Sequence, residues 1–272
     1  MISVRFLGTG GARFVVAKQI RASGGMWFRF APDDTEGAVT QIHVDPGPGA
    51  LVRAMSALPP CDPTELDALV LSHKHLDHSN DINAMIEAMT TGGWKRRGVL
   101  LAPRDAFEGE PVILPYAAKF VPVHHYLGPS AGPYAVNDVE VRTSLQHEHS
   151  VETYGVHFSY RGATVSYLPC GSYFEGLAED YAAHHPDVLI VNVLRYRDDM
   201  KVDHLTFDEA RHIFAVVRPK VAVMTHFSTK MLEAGPQRLA RELEDELNLR
   251  VYAASDDWTL DATTEIAAVA AR

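Results

Sequence analysis

The sequence predicts a mixed α/β fold with buried sheets, and three observations carry that prediction. Short apolar or β-branched runs, each about four to eight residues with its flanks, recur along the chain and stop at Gly, Pro, Asp, Ser or His. Two such runs, Tyr154–Tyr160 and Thr164–Leu168, flank Arg161-Gly162 and read as a hairpin. Amphipathic helical patterns lie between the runs, an alternation that suits layered sheets and helices.

Taken in order, the strand runs are Val4–Leu7, Gln41–Val44, Ala68–Leu71, Val99–Leu101, Val139–Val141, the hairpin pair, Val188–Val191 and Val221–Met224. Thr206-x-x-Glu209 is a capping box that opens a helix to about Val217, stopped by Pro219. Gly235-Pro236 opens another, with Leu239, Leu243 and Leu247 on one face. Residues 93–136 are rich in Gly and Pro and break the rhythm, so they are expected to form an insertion or flap. No linker or internal repeat divides the chain, which is read as one domain over residues 1–272.

Composition narrows the function classes. The 272 residues carry 35 acidic and 25 basic side chains, a formal charge of −10. That balance argues against broad nucleic-acid binding, and no stable nucleic-acid complex is expected. A hydrophobic share of 46% excludes disorder and coiled coil. No apolar run reaches the roughly 18 residues of a membrane span, and the opening MISVRFLGTGG lacks the features of a signal peptide. Cys61 and Cys170 are too few for a disulfide scaffold and suit a reducing cytoplasm, the expected location. The unusual number is 14 histidines, because histidine serves mainly metal and proton chemistry.

The strongest local signal is Ser72-His73-Lys74-His75-Leu76-Asp77-His78. It follows an apolar strand, at the C-terminal end where open α/β sheets place their sites. Alternate residues of an extended chain point the same way, so His73 and His75 can grip one ion. Asp77 and His78, a step further along the turn, can reach a second.

This His-x-His-x-Asp-His run after a buried strand resembles the metallo-β-lactamase superfamily of dinuclear metallohydrolases. The resemblance implies a four-layer αββα sandwich, two mixed β-sheets flanked by helices. It also implies further ligands at later strand ends. His149, in Gln146-His147-Glu148-His149-Ser150, fits the next motif, and the resemblance favours it over His147, which an extended strand would turn to the same side. Cys170, in Leu168-Pro169-Cys170-Gly171, stands where the superfamily usually carries a bridging aspartate. A thiolate is a good zinc ligand, although a free cysteine also packs well as a small core residue. His226, after the strand Val221–Met224, matches the last ligand position.

His204, just before the capping-box helix, resembles a feature of the phosphodiesterase branch, which includes ribonuclease Z and the cyclic-phosphate phosphodiesterases of phosphonate breakdown. In that branch the matching histidine assists near the scissile phosphate and does not bind metal. Phe6-Leu7-Gly8-Thr9-Gly10-Gly11 and Val44-Asp45-Pro46-Gly47-Pro48-Gly49 are similar to that branch as well, with Asp45 expected to anchor the site loops. Gly8-x-Gly10 is no dinucleotide fingerprint, since a third glycine and an acidic partner do not follow. Ser79-Asn80-Asp81 after the metal run departs from the glycines common in the family. Lys95-Arg96-Arg97 and Arg104 read as a solvated face, while Arg195 and Arg197 are better placed for an anionic substrate.

The resemblance therefore implies two divalent metal ions. Imidazole and thiolate ligands favour Zn2+, whereas Mn2+ or Fe would suit an aspartate bridge. Asp77 is expected to bind one ion and take a proton from the attacking water, and His204 to stabilise the developing charge or protonate the leaving oxygen. The expected activity is a phosphodiesterase acting on a small cyclic or nucleotide phosphodiester. The alternatives are a hydrolase of a lactone, thioester or β-lactam, and a metal-bound sensor or redox protein without turnover. The branch also implies a homodimer.

Overall fold

The computed structural model describes residues 1–32, 38–197 and 202–271. The strands β1 (Ile2–Phe6), β2 (Met26–Phe30), β3 (Thr40–Val44), β4 (Ala68–Val70), β5 (Val99–Pro103) and β6 (Val123–Leu127) build one sheet. A second holds β7 (Tyr134–Val136), β8 (Val139–Gln146), β9 (Tyr154–Tyr160), β10 (Ala163–Leu168), β11 (Val188–Asn192), β12 (Val221–Thr225) and β13 (Arg250–Ala253). The late strand β14 (Thr259–Asp261) returns to the first sheet beside β1. The strand orders are β14-β1-β2-β3-β4-β5-β6 and β13-β12-β11-β10-β9-β8-β7. Each sheet is mixed: β3 to β6 run parallel, as do β10 to β13, and the remaining pairs are antiparallel.

The helices are α1 (Ala12–Ala17), α2 (Ala50–Ser56), α3 (Leu76–Ser79), α4 (Ile82–Thr90), α5 (Pro115–Ala118), α6 (Leu177–Ala183), α7 (Phe207–Val217), α8 (Thr229–Ala234), α9 (Pro236–Leu247) and α10 (Ala262–Ala270). Apolar side chains fall into three layers. Between the sheets, Phe28, Phe30 and Val70 meet Val156, Phe158 and Val223, with the rings of Phe28 and Phe158 4.8 Å apart. Outside the first sheet, Leu69 and Leu100 cover Ile82, Met85 and Ile86 of α4. Outside the second, Leu189 and Met224 cover Phe214 of α7 and Leu239 and Leu243 of α9. The result is the four-layer αββα sandwich. It buries both faces of the parallel strands, which explains why β11 and β12 are apolar without alternation.

Local signals hold where they are strong. Thr206 accepts from the Glu209 amide and Glu209 accepts from the Thr206 amide, the reciprocal capping box that starts α7. Arg161 and Gly162 both take positive φ, 48° and 81°, as a two-residue hairpin turn requires. Residues 93–136, expected as an insertion or flap, supply β5 and β6 of one sheet and β7 of the other. Apart from Pro103 at the end of β5 and Pro115 at the start of α5, their Gly and Pro residues lie in the turns between these elements.

The topology fixes where chemistry can occur. The parallel strands β3 and β4 of one sheet and β10, β11 and β12 of the other send their C-terminal ends toward a common set of loops.

Candidate metal centre

Those loops carry the ligand-type side chains. The turn from β4 into α3 provides His73, His75, Asp77 and His78. His149 follows β8, Cys170 follows β10, His204 precedes α7, and His226 follows β12. Their ligand atoms form overlapping groups within 4.8 Å: His73 with His75 and His149; His73 with His78 and Cys170; Asp77 with His78 and His226; and Cys170 with His204 and His226. Cys170 therefore lies between a triad of histidines on one side and Asp77, His78 and His226 on the other.

The spacings can be compared with bond lengths. Tetrahedral ligands at zinc distances of about 2.0–2.3 Å sit roughly 3.3–3.6 Å from one another. His149 Nε2 is 3.1 Å from His75 Nδ1, and Cys170 Sγ is 3.5 Å from His78 Nε2 and 3.4 Å from His226 Nε2. Asp77 Oδ2 lies 3.7 and 3.8 Å from the same two imidazole nitrogens. His73 Nε2 is buried without any hydrogen-bond partner, a costly state unless a cation occupies its lone pair. This donor set fits two divalent metal ions.

Neighbouring groups decide which nitrogen each histidine offers. Asp45 Oδ2 accepts from His78 Nδ1 at 3.0 Å, from the Ser72 hydroxyl at 2.7 Å and from the Tyr167 hydroxyl at 2.9 Å. Its Oδ1 accepts from the Ser72 amide at 2.7 Å. Ser72 Oγ, its own proton given to Asp45, accepts from His73 Nδ1 at 2.9 Å, which leaves Nε2 as the free donor atom. Ser150 Oγ lies 3.3 Å from His75 Nε2, so His75 turns Nδ1 inward.

Close backbone approach is built into the same loops. A Cβ on Gly11 would lie 2.5 Å from His226 Cδ2, and one on Gly47 would lie 2.0 Å from the Asp77 carbonyl oxygen. His226 and Asp45 both hold positive φ, 63° and 55°, a strain of the kind that clusters at functional sites.

With this geometry in place, a family model described as a β-lactamase superfamily domain matches residues 40–227. The chain belongs to the metallo-β-lactamase superfamily. An uncharacterized protein of Methanocaldococcus jannaschii is 30% identical over 263 residues, covering 93% of this chain and 92% of its own. Among solved structures, the metallo-β-lactamase fold protein YhfI of Bacillus subtilis superposes with a TM-score of 0.72 at 20% identity, covering 95% of this chain and 98% of that one. The short form of human tRNase Z superposes with a TM-score of 0.66 at 16% identity, covering 96% of this chain and 99% of that one.

Electrostatics in this metallo-β-lactamase site point to a cation. Burial opposes a charged Cys170, yet His226, His78 and His204 outweigh it and hold the thiol well below its ordinary range. Burial also opposes a charged His78, but the Cys170 thiolate, Asp77 and Asp45 push its pKa well above the usual value. In the metal-free chain the His78 proton supplies positive charge that a bound cation would replace. His73 and His149 go the other way: burial, with nearby histidines adding to it, lowers each to about 4 and keeps these rings neutral donors.

His147 does not join the cluster. It is buried, 3.1 Å from the Cys170 carbonyl oxygen through Nδ1 and 3.1 Å from the Tyr181 hydroxyl through Nε2, and so braces the Cys170 loop. β8 ends at Gln146 and residues 149–151 bend, so the extended alternation that would turn His147 and His149 to one side does not hold. Arg195, expected to meet substrate, instead spends Nε on the His204 carbonyl at 2.8 Å and sets Nη2 3.9 Å from Glu209. Arg197 is exposed, its guanidinium 5.0 Å above the Tyr196 ring. Sequence reasoning missed Ser72, Ser150, Tyr167 and Asn192, whose Nδ2 lies 3.4 Å from Cys170 Sγ. Only Ser72 and Ser150 adjoin a motif, and nothing in the spacing singles them out.

Proposed function

We propose that the chain is a dinuclear metallohydrolase that cleaves a small cyclic or nucleotide phosphodiester. Its histidine and thiolate donors suit zinc. His73, His75 and His149 would hold one ion, Asp77, His78 and His226 the other, with Cys170 between them. When bound, two such ions acidify water to a nucleophile at neutral pH and polarise a phosphoryl oxygen. Asp77, held below the usual carboxylate range because His78 and His226 outweigh its burial, is ionised and partly exposed, placed to accept the proton of the attacking water. Asp45 keeps the Nδ1 proton of His78 in place and so keeps Nε2 turned to the site.

The observation that carries the phosphodiester reading is His204. Its ring stacks parallel to His226 at 6.2 Å and edge-on to His149 at 5.3 Å, and it has a buried Nδ1 without a partner. Arg195 fixes its backbone through the carbonyl. A half-buried imidazole at the edge of the centre is suited to deliver a proton to a leaving alkoxide, while Asp77 serves the attacking side.

The test uses zinc-loaded protein and bis-p-nitrophenyl phosphate. His204→Ala should lower turnover by about a hundredfold or more, the usual weight of a general acid, with zinc content unchanged. Undiminished turnover removes the acid role, and loss of one ion makes His204 a ligand. A second reading, hydrolysis of a lactone or thioester, is favoured by one observation: Arg195 is engaged with the His204 loop. Turnover of neutral esters without any of the phosphodiester would select it.

A further inference from the structure

The first 32 residues contain Arg5, Arg13, Lys18, Arg21 and Arg29 and no acidic residue, in a chain whose formal charge is −10. Three of these cations lie on one excursion, residues 12–21. The Gly10 amide donates to the Ala22 carbonyl at 2.9 Å and closes the base of that excursion, while Asp256 accepts from the Thr9 and Ala22 amides and pins it. The excursion opens with Gly11, whose amide donates to the Phe227 carbonyl and whose missing side chain makes room for His226. Its helix α1 packs against α3, which carries Asp77 and His78. The segment thus rises directly from the wall of the metal centre.

Its outer surface combines charge with apolar area. Arg13 and Lys18 are exposed, and among the described residues no acid pairs with Arg13, Lys18 or Arg21. Phe14 is 70% exposed, and Leu76, between the ligand residues His75 and Asp77, is 65% exposed. The Asp256 carboxylate at the base accepts from the Thr9 amide and hydroxyl and from the Ala22 amide, and pairs with none of the three cations.

We infer that residues 12–21 form a recognition arm for the part of the substrate that does not react, and that this part is a nucleotide with a phosphate beyond the scissile diester. The inference rests on the phosphodiester reading above. Arg13 and Lys18 would take the outer phosphate by charge-assisted hydrogen bonds, and Phe14 would offer its ring face to the base. This places anion recognition on the arm, where the sequence had suggested Arg195 and Arg197.

The test is equilibrium binding by the zinc-loaded full chain of adenosine 3′,5′-bisphosphate against adenosine 5′-monophosphate, which share a 5′-phosphate for the metal centre. The wild type should bind the bisphosphate about tenfold tighter, with a preference that shrinks as salt rises. The pair Arg13→Glu and Lys18→Glu should bring the two affinities within about twofold of each other, with zinc content and melting temperature as checks on folding. The neutral pair Arg13→Gln and Lys18→Gln repeats the measurement if charge reversal disturbs the fold. Phe14→Ala should weaken both nucleotides and leave inorganic pyrophosphate unaffected. A wild type without the preference, or a preference that survives in both paired variants, overturns the arm. Turnover plays no part here, so a chain that prefers the bisphosphate yet cleaves no phosphodiester would refute the function reading alone.

Discussion

Asp45 makes no contact with the reacting groups, yet it should be among the least replaceable residues, and Asp45→Asn tests that sharply. The carboxylate is buried and meets four donors: His78 Nδ1, the Ser72 hydroxyl and the Tyr167 hydroxyl at Oδ2, and the Ser72 amide at Oδ1. An amide in its place has two orientations and both fail. With the NH2 at Oδ2, three donors lose their acceptor. With the NH2 at Oδ1, it faces the Ser72 amide donor at 2.7 Å. His78, whose pKa is raised well above its usual value partly by Asp45, also loses a compensating charge.

Breaking a buried charged network from one side costs about 3–5 kcal/mol. A domain of this size loses roughly 2–4 °C of melting temperature per kcal/mol, so the metal-free variant should melt about 6–20 °C below the wild type. Zinc affinity should fall about 10–100-fold, as it does when a supporting partner of a metal histidine is removed. Thermal unfolding in chelator and competitive zinc titration measure the two effects separately. A variant that melts with the wild type and holds zinc equally well would refute the argument that Asp45 organises His78, Ser72 and Tyr167.

Other consequences follow from the same contacts. Gly11→Ala should displace His226 and cost the centre at Asp77, His78 and His226 its ion, while that at His73, His75 and His149 stays filled; cobalt titration with visible absorption counts the two separately. Cys170→Asp should keep two ions but shift preference from zinc toward manganese or iron, read by elemental analysis after growth in mixed metals. His43 is buried and lowered to about 4, chiefly by desolvation, with its Nε2 2.7 Å from the Gly24 carbonyl oxygen. Because its folded pKa lies below the unfolded one, its stabilisation is complete above about pH 6.5 and declines as pH falls toward 4. His43→Phe should therefore flatten the fall of stability between those limits by up to one proton, about 1.4 kcal/mol per pH unit, in chelator-treated protein. Leu243→Ala on α9 should cost about 2–5 kcal/mol in denaturant unfolding.

Much of the fold was legible because its signals are local. Strands buried on both faces, such as β11 and β12, announce themselves as apolar runs, and α7 announces its start through Thr206 and Glu209. Four of the strands that escaped notice are short or lie at edges, while β2 is an inner strand whose buried run Met26–Phe30 went unread. The β6 and β7 segments sit among turns and half-exposed residues, and β13 and β14 have too few residues for a period to emerge. Within residues 93–136 the Gly and Pro residues hide the short strands in the same way, since they look alike in a flap and in the turns of an edge.

The division at the site is similar. By itself the sequence placed His73, His75, Asp77 and His78 at a strand end, because a period of two and a tight turn are properties of neighbouring residues. The resemblance it carries then pointed to His149, Cys170, His204 and His226. What only the tertiary structure decided is how distant segments combine. It turned His147 away to brace Cys170, committed Arg195 to the His204 carbonyl, and set Asp45 among Ser72, His78 and Tyr167. It also laid the basic excursion at residues 12–21 against the wall that holds His226. Such contacts join residues from nine to some two hundred positions apart, and no local pattern encodes which side chain meets which until both sheets have packed.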